Sequence, residues 1–258
     1  MGYQTVIVER KGHVGLITLN RPEKLNTFTT QLATELNEAL KEMDKDQQVR
    51  VVIIKGAGRA FCAGIDVSEM PGKSPLEIRS WVNLMDKHNI VLVDMGKPVI
   101  AAVHGAAVAN GCGLAAACDF TIASEDARFG TTAINLGLYC FGVSLPLSRC
   151  LGKKKSLGLL LTGDIIDAME AERIGLVNKV VPREELEEAA LALAEKLASK
   201  SPIALKMGKE SFYKMWDMAY DEALAYLPGM FTILSSTEDA KEGVDAFLHK
   251  RQPEWKGR

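Results

Sequence analysis

PVIAAVHGAAVANGCG, residues 98–113, is the stretch of sequence that decides the fold. Pro98 to Val103 is a short continuous apolar run, which is typical of a strand buried on both faces of a parallel sheet. The small residues from His104 to Gly113 follow it and predict a loop whose backbone can approach another group closely. A buried parallel strand that ends in a loop and leads into helical material indicates an α/β fold.

Similar elements lie on both sides of this stretch. β-Branched and apolar runs predict strands at 3–10, 13–19, 49–55, 120–123 and 177–181. Apolar residues at helical spacing and helix start signals predict helices at 30–44, 78–95, 167–174, 184–198, 203–218 and 239–250. Strand–helix alternation therefore fills the first two thirds of the chain, whereas the last third is predicted to be helical and needs the core or other subunits to cover its apolar faces.

The composition of the 258 residues excludes several function classes. Lys and Arg total 31 and Asp and Glu total 33, a net charge of −2, which lacks the basic field of a dedicated nucleic-acid binder. The five cysteines are odd in number and form no C-x-x-C pair, so neither a disulfide framework nor a metal site is expected. Neither a secretory signal nor an apolar run of membrane-spanning length is found, which predicts a cytoplasmic protein without membrane insertion.

A G-x-G-x-x-A pattern, Gly111 to Ala116, invites comparison with dinucleotide-binding loops. Such a loop directly follows a strand, but here residues 104–110 lie between the pattern and the predicted strand. Small residues at this place are better explained by a closely packed helix start. An NAD-binding α/β protein stays open as the weaker alternative.

Two loops of small residues carry more information, 58–66 and 104–113. Each follows a predicted buried strand and precedes helical material. Free N–H groups at such turns can converge on a developing oxyanion, and a helix N-terminus adds positive potential. From spacing alone, an anion site and simple tight turns are both compatible with these loops.

Seven segments occur in a characteristic order along the chain: LNRPEKLN (19–26), AFCAGID (60–66), KPVIAAVHG (97–105), CDF (118–120) with ARFG (127–130), LTG (161–163), AERIGLV (171–177) and EGVDAFLHKR (242–251). Through them the chain resembles the crotonase (enoyl-CoA hydratase/isomerase) family from about residue 3 to residue 258. The resemblance implies an α/β fold with a spiral core of ββα repeats, residues 1–198. It also implies a helical C-terminal oligomerisation region, residues 199–258, that builds homotrimers, often paired into hexamers.

The resemblance implies acyl-CoA thioesters as ligands, with coenzyme A as part of the substrate and no further cofactor. The thioester oxygen is expected between the backbone N–H groups of Ile65 and Asn110. The family commonly has Gly at the Asn110 position, and Asn tolerates left-handed geometry better than most residues. Contacts to the substrate are expected from Lys24, Leu25, Ala63, Gly64, Ile65, Asp66, Gly111, Phe231 and Lys250.

The sequence departs from the family at the acid–base positions. Gly113 and Ala133 stand where hydratases keep two glutamates, and Phe141 stands where some isomerases keep another acid. Since none of these side chains can transfer a proton, ordinary hydration is not expected. If the scaffold is otherwise intact, Gly113→Glu together with Ala133→Glu should restore hydration of crotonyl-CoA.

Other residues near these positions are candidates for catalysis, namely Asp66, Tyr139 and Cys140. Asp66 follows the first oxyanion residue, Tyr139 can donate a hydrogen bond, and Cys140 is a nucleophile if its pKa is lowered. We therefore predict an acyl-CoA-processing enzyme that stabilises a thioester enolate or oxyanion. A catalytically inactive acyl-CoA-binding or assembly protein, an acyl-CoA decarboxylase and a thioester hydrolase stay open.

Overall fold

The structure, a computed structural model, describes residues 2–258. Within this range the strands are β1 (Val6–Lys11), β2 (Val14–Leu19), β3 (Val51–Gly56), β4 (Val99–Val103), β5 (Ala106–Val108), β6 (Phe120–Ser124), β7 (Arg128–Gly130), β8 (Ile165–Asp167) and β9 (Lys179–Val181). The helices are α1 (Thr30–Lys45), α2 (Pro75–Met85), α3 (His88–Asp94), α4 (Asn110–Ala117), α5 (Phe141–Thr162), α6 (Ala168–Ile174), α7 (Leu186–Ala198), α8 (Pro202–Trp216), α9 (Tyr220–Ser235) and α10 (Glu238–Leu248).

The main sheet has the strand order β1-β2-β3-β4-β6-β9. The β1–β2 pair is an antiparallel hairpin, and all other pairs in this sheet are parallel. Successive residues of β3 point to opposite faces: Val52 and Ile54 belong to the apolar cluster that includes α1, whereas Val51 and Ile53 belong to the cluster that includes α7. Burial on both faces explains the continuous apolar runs and confirms the predicted parallel core.

A smaller sheet, β5-β7-β8, lies beyond the carboxyl ends of the central strands. β5 follows β4 after a two-residue turn at His104 and Gly105, where Gly105 adopts a φ of +54°. A Cβ at Gly105 would lie 2.1 Å from the carbonyl oxygen of Arg59, so this position requires glycine. The turn thereby brings β5 against the loop that follows β3.

The structure adds elements that the sequence did not predict and divides one that it did. The predicted helix 78–95 is two helices, α2 and α3, with Asp86 at the end of the first. The sequence did not predict α5, because this helix contains Pro146 and several glycines. Gly152 (φ +68°, ψ 174°) also interrupts the helical spacing of its apolar residues. The sequence did not predict α9 either, because none of its residues is buried and Pro228 lies inside it.

α8 is anchored to the core by a carboxylate at the start of β6. The Lys209 ammonium donates to Asp119 Oδ2 at 2.8 Å, and the Tyr213 hydroxyl donates to Asp119 Oδ1 at 2.9 Å. The Val99 backbone N–H donates to the same carboxylate at 2.7 Å. α9 and α10 pack on α8 and on each other. Over residues 2–258, no helix is both long enough and apolar enough to cross a membrane.

Candidate functional site

The loops after β3 and β4 run side by side. Cys62 and Ala107 form a parallel bridge, in which the Cys62 N–H donates to the Ala106 carbonyl and the Val108 N–H donates to the Cys62 carbonyl, both at 3.0 Å. Gly111 is forced to be glycine, since a Cβ there would lie 2.0 Å from the Cys62 carbonyl oxygen. Counting three residues forward in each loop from Cys62 and Ala107 leads to Ile65 and Asn110.

Ile65 and Asn110 each have a backbone N–H near the line along which these two loops adjoin, which we call the seam. Among the turn, loop and cap hydrogen bonds of residues 2–258, neither N–H donates to a backbone acceptor. The Asn110 N–H is one of the unpaired donors at the first turn of α4, where the helix dipole is positive. A Cβ placed on Gly64 would lie 3.8 Å from the Asn110 nitrogen, so the two backbones lie close together. The arrangement can receive an anionic oxygen.

Backbone strain at the site lies one residue before Asn110. Ala109 has φ +47° and ψ −122°, a conformation that residues with a side chain rarely adopt. Its neighbour across the seam, Gly64, has φ +99°, and a Cβ there would lie 2.8 Å from the Ala109 Cβ. A hydrogen bond helps to hold Ala109 in this conformation, because its N–H donates to the Gly130 carbonyl at 2.8 Å. Asn110 itself is the first helical residue, so the unusual conformation falls on Ala109.

The loop with Lys24 and Leu25 lies beside the loop after β3, residues 58–66, which we call the first site loop. The Ala63 N–H donates to the Leu25 carbonyl at 2.9 Å, and Leu25 is left-handed with φ +51°. Lys24 is exposed at the end of a short 3₁₀ turn. The structure therefore brings Lys24, Leu25 and the strip from Ala63 to Asp66 together.

Phe231 and Lys250 lie in the C-terminal helical region instead. Phe231 is 72% exposed on α9, and Lys250 is exposed just after α10. In residues 2–258 no side-chain hydrogen bond joins either residue to the Lys24 loop.

The three positions without acids differ in their surroundings. Gly113 lies in α4 one turn after Asn110, and a Cβ there would lie 2.8 Å from Val143 Cγ2. Val143 in α5 is fully packed, so it occupies the space into which a side chain at 113 would grow. Ala133 is half-buried in a 3₁₀ turn, and Phe141 is 77% exposed. Val143 is thus the obstacle to a glutamate at position 113.

Asp66 has an ionised, structural environment. Arg21 lies 3.3 Å from its Oδ2, and the Ser68 hydroxyl donates to Oδ1 at 2.6 Å. The Ser68 hydrogen bond and the Arg21 guanidinium lower the pKa of this carboxyl. Its oxygens cap the 3₁₀ turn that follows and hold the first site loop.

Tyr139 and Cys140 form the wall before α5. The Tyr139 ring packs edge-on against Phe141 with centroids 4.8 Å apart, and its oxygen accepts from the Ser144 hydroxyl at 3.2 Å. Burial raises the pKa of the Cys140 thiol, and the nearby charge of Asp86 raises it further. A neutral thiol is a poor nucleophile.

One acidic residue that the sequence did not single out lies at the site. Asp86, between α2 and α3, accepts a hydrogen bond at Oδ1 from the Asn110 side-chain Nδ2 at 2.9 Å. A Cβ at Gly142, in the first turn of α5, would lie 2.1 Å from Asp86 Oδ2. Burial raises the pKa of this carboxyl, and the Asn110 hydrogen bond offsets part of that rise. No motif marks Asp86, because only the folded chain brings the junction of α2 and α3 to Asn110.

A cavity of about 780 Å³ opens beside Asp86, between α3, α4, α5 and α8. Its wall is mainly apolar, with Ile90 and Val93 on α3, Leu145 on α5, and Leu205 and Phe212 on α8. Two ion pairs also border it, Lys209 with Asp119 and Arg149 with Asp217. A molecule in this cavity would meet the Asp86 carboxyl.

Comparison with known proteins gives consistent results over the whole chain. A family model described as enoyl-CoA hydratase/isomerase matches residues 9–258. The chain is 43% identical to a probable enoyl-CoA hydratase of Rhizobium meliloti, with all of both chains covered. It is 40% identical to the short-chain-enoyl-CoA hydratase of Clostridium acetobutylicum, with 98% of each covered. A crystal structure of enoyl-CoA hydratase from Mycobacterium smegmatis has a TM-score of 0.94 at 35% identity, covering 98% of this chain and 99% of that one. These similarities confirm the predicted fold class.

Proposed function

The chain belongs to the enoyl-CoA hydratase/isomerase family, as its motifs predicted, and we propose that it is an acyl-CoA enzyme that holds the thioester oxygen between the backbone N–H groups of Ile65 and Asn110. The observation that supports the proposal is the loop register, in which Cys62 lies opposite Ala107 and Ile65 and Asn110 follow three residues later in the two adjoining loops. Negative charge that develops on the thioester oxygen is stabilised there. One such donor typically contributes about 3–4 kcal/mol to transition-state stabilisation.

The charge around the seam supports coenzyme A as the carrier of the acyl group. Lys24 is exposed beside the strip from Ala63 to Asp66, where it can meet an anionic phosphate. Lys250, exposed after α10, is the second cation that we assign to the CoA end. Asp66 is neutralised by Arg21 and so does not oppose a phosphate as a free charge.

Two-carboxylate hydration is not the reaction that we propose for this site. Gly113 and Ala133 offer no carboxyl, and Val143 fills the space next to Gly113. An oxyanion site without these acids suits chemistry that needs a stabilised enolate rather than an activated water.

Isothermal titration with butyryl-CoA and its thioether analogue S-butyl-CoA tests the proposal. The thioether keeps the chain and the CoA moiety but lacks the carbonyl oxygen. Two hydrogen bonds of about 1 kcal/mol each predict that the thioester binds about 10–30-fold more tightly. Equal affinities contradict the proposed oxyanion site, and no binding of either ligand contradicts the acyl-CoA assignment. Lys24→Ala should weaken the binding of both ligands. Lys41→Ala, on the exposed side of α1, should leave both affinities unchanged.

We also propose that the C-terminal helices associate with further copies of the chain as a homotrimer or hexamer. Phe247 is 82% exposed on α10, and Tyr220, Leu224, Phe231 and Ile233 are exposed on α9. A group of exposed large apolar side chains of this kind is typical of an interaction surface. Sedimentation should give a mass that is a multiple of three chains, and Phe247→Asp should lower it while Lys241→Ala does not. A monomeric wild-type protein contradicts this arrangement.

A further inference from the structure

The Asp86 carboxyl lies between the starts of two helices. It accepts from the Asn110 side chain at the N-terminus of α4, and it packs against the Cα of Gly142 in the first turn of α5. A residue with a side chain at position 142 would collide with it. Both helix ends are positive, and the carboxyl also borders the cavity. Glycine at 142 therefore makes room for a carboxylate beside the thioester-oxygen site.

Asp86 has no positively charged partner among the ion pairs of residues 2–258, unlike the other acids of the same cavity. Asp119 is paired with Lys209, and Asp217 is paired with Arg149. The Cys140 thiol near Asp86 is held neutral by burial. An unpaired, half-buried carboxylate costs folding free energy, and a neutral side chain could accept the same hydrogen bond from Asn110. The charge of Asp86 thus has no structural role that the contacts explain.

We propose that Asp86 is the catalytic acid–base of this protein, which removes a proton from an acyl-CoA whose thioester oxygen lies at Ile65 and Asn110 and returns it to the same acyl group. The inference rests on the proposed function, because it places the acyl group by that oxygen. It assigns proton transfer within the acyl chain, rather than addition of water, as the chemistry. The substrate class is an acyl-CoA with an acidic α-proton, such as a β,γ-unsaturated acyl-CoA.

The step balances without any co-reactant. Asp86 takes the proton as the Cα–H bond breaks, and its electron pair moves to the thioester oxygen as an extended enolate. The two backbone N–H groups stabilise that oxygen. The Asp86 carboxylic acid then gives the proton to Cγ, the double bond moves from β,γ to α,β, and the carboxylate is regenerated. A single carboxyl suffices, because it serves first as base and then as acid.

The test uses but-3-enoyl-CoA with the full chain and follows the formation of crotonyl-CoA. Asp86→Asn keeps an oxygen that can accept from Asn110 but cannot carry a proton. We expect kcat to fall about 10²–10⁴-fold while KM stays within about threefold. Asp86→Glu should recover part of the rate. Asp94→Asn, at the exposed end of α3, is the matched control and should keep the wild-type rate.

The outcomes separate the two proposals. Failure of the wild-type protein to bind but-3-enoyl-CoA in titration overturns the acyl-CoA function itself. Binding without isomerisation overturns the role of Asp86 and leaves acyl-CoA binding in place. Wild-type turnover that Asp86→Asn retains means that Asp86 is not the proton carrier. Retained thioester affinity in Asp86→Asn shows that the variant is folded.

Discussion

Asp86 and Asp119 border the same cavity but lie in opposite environments. Asp119 accepts from Lys209, Tyr213 and the Val99 N–H, and it anchors α8 to the core. Asp86 accepts from one neutral amide and meets no cation in the described chain. We call the first region the anchoring end and the second region, Asp86 with Ala109, Asn110 and Gly142, the reacting end.

The difference shows what each carboxylate does for the protein. At the anchoring end, hydrogen bonds and an opposite charge compensate burial, which is how a carboxylate stabilises a fold. At the reacting end, burial is only partly compensated, and strain at Ala109 lies beside it. Uncompensated charge and strained backbone concentrate at functional sites, where stability is lost for activity.

Asp119→Asn should give the largest effect on stability. It leaves the Lys209 ammonium, whose side chain is 7% exposed, without its partner, so the free energy of unfolding should fall by about 3 kcal/mol in urea denaturation. Adding Lys209→Met should recover part of the loss.

Asp86→Asn should instead raise the unfolding midpoint at neutral pH. Because burial raises the pKa of Asp86 in the folded protein, the gain is full above that pKa and fades as the pH falls below it, where Asp86 is itself protonated. Loss of stability in both variants would remove the contrast between the two ends.

Gly142→Ala tests the reacting end without changing any ionisable group. The new methyl group would lie 2.1 Å from Asp86 Oδ2, so the carboxyl must move. We expect a 10–100-fold loss in kcat for but-3-enoyl-CoA, because small displacements of catalytic groups have effects of this order. Gly158→Ala, in the same helix with open space around it, should leave kcat unchanged. Equal rates in all three proteins would mean that the position of Asp86 is unimportant.

Restoring hydratase acids tests the space at the reacting end. The sequence predicts that Gly113→Glu with Ala133→Glu restores hydration, but the structure changes this expectation. The double variant alone should add no crotonyl-CoA hydration, because Val143 occupies the path of the new side chain at position 113. Adding Val143→Ala should raise hydration at least about tenfold above background, since a general acid–base typically contributes more than that. Hydration by the double variant alone would show that the Val143 side chain moves aside and does not block a glutamate at position 113.

The oxyanion loops were predictable from sequence, whereas Asp86 was not. Ile65 and Asn110 lie in motifs whose small residues follow buried strands, so local sequence carries the signal. Asp86 lies in a polar helix junction, Asp86-Lys87-His88-Asn89, which resembles any solvent-facing turn. Its role depends on where α2 ends relative to α4 and α5, and that is set by packing between segments distant in sequence.

The helical end shows the same limit. The predicted helices near α8 and α10 exist with slightly different ends, but α9 was missed because none of its apolar residues is fully buried. Phe141, which stands where some isomerases keep an acid, has an exposed side chain. Sequence patterns report burial within the chain, so residues that meet a ligand or a second copy leave weaker signals.

Ala109→Gly should give the smallest effect, a gain of about 1 kcal/mol in unfolding free energy. Glycine adopts a φ of +47° without the steric cost that alanine carries. Ala192→Gly, on the exposed face of α7, should cost about 1 kcal/mol instead. A loss of stability in Ala109→Gly would show that the loop is not strained.

A crystal structure of the Asp86→Asn protein with but-3-enoyl-CoA bound tests the central claim most directly. We predict the thioester oxygen at about 2.7–3.1 Å from the nitrogens of both Ile65 and Asn110. We also predict the residue-86 side chain within about 3.5 Å of the α- or γ-carbon. A thioester oxygen away from these nitrogens, or an acyl chain beyond the reach of residue 86, would contradict the account.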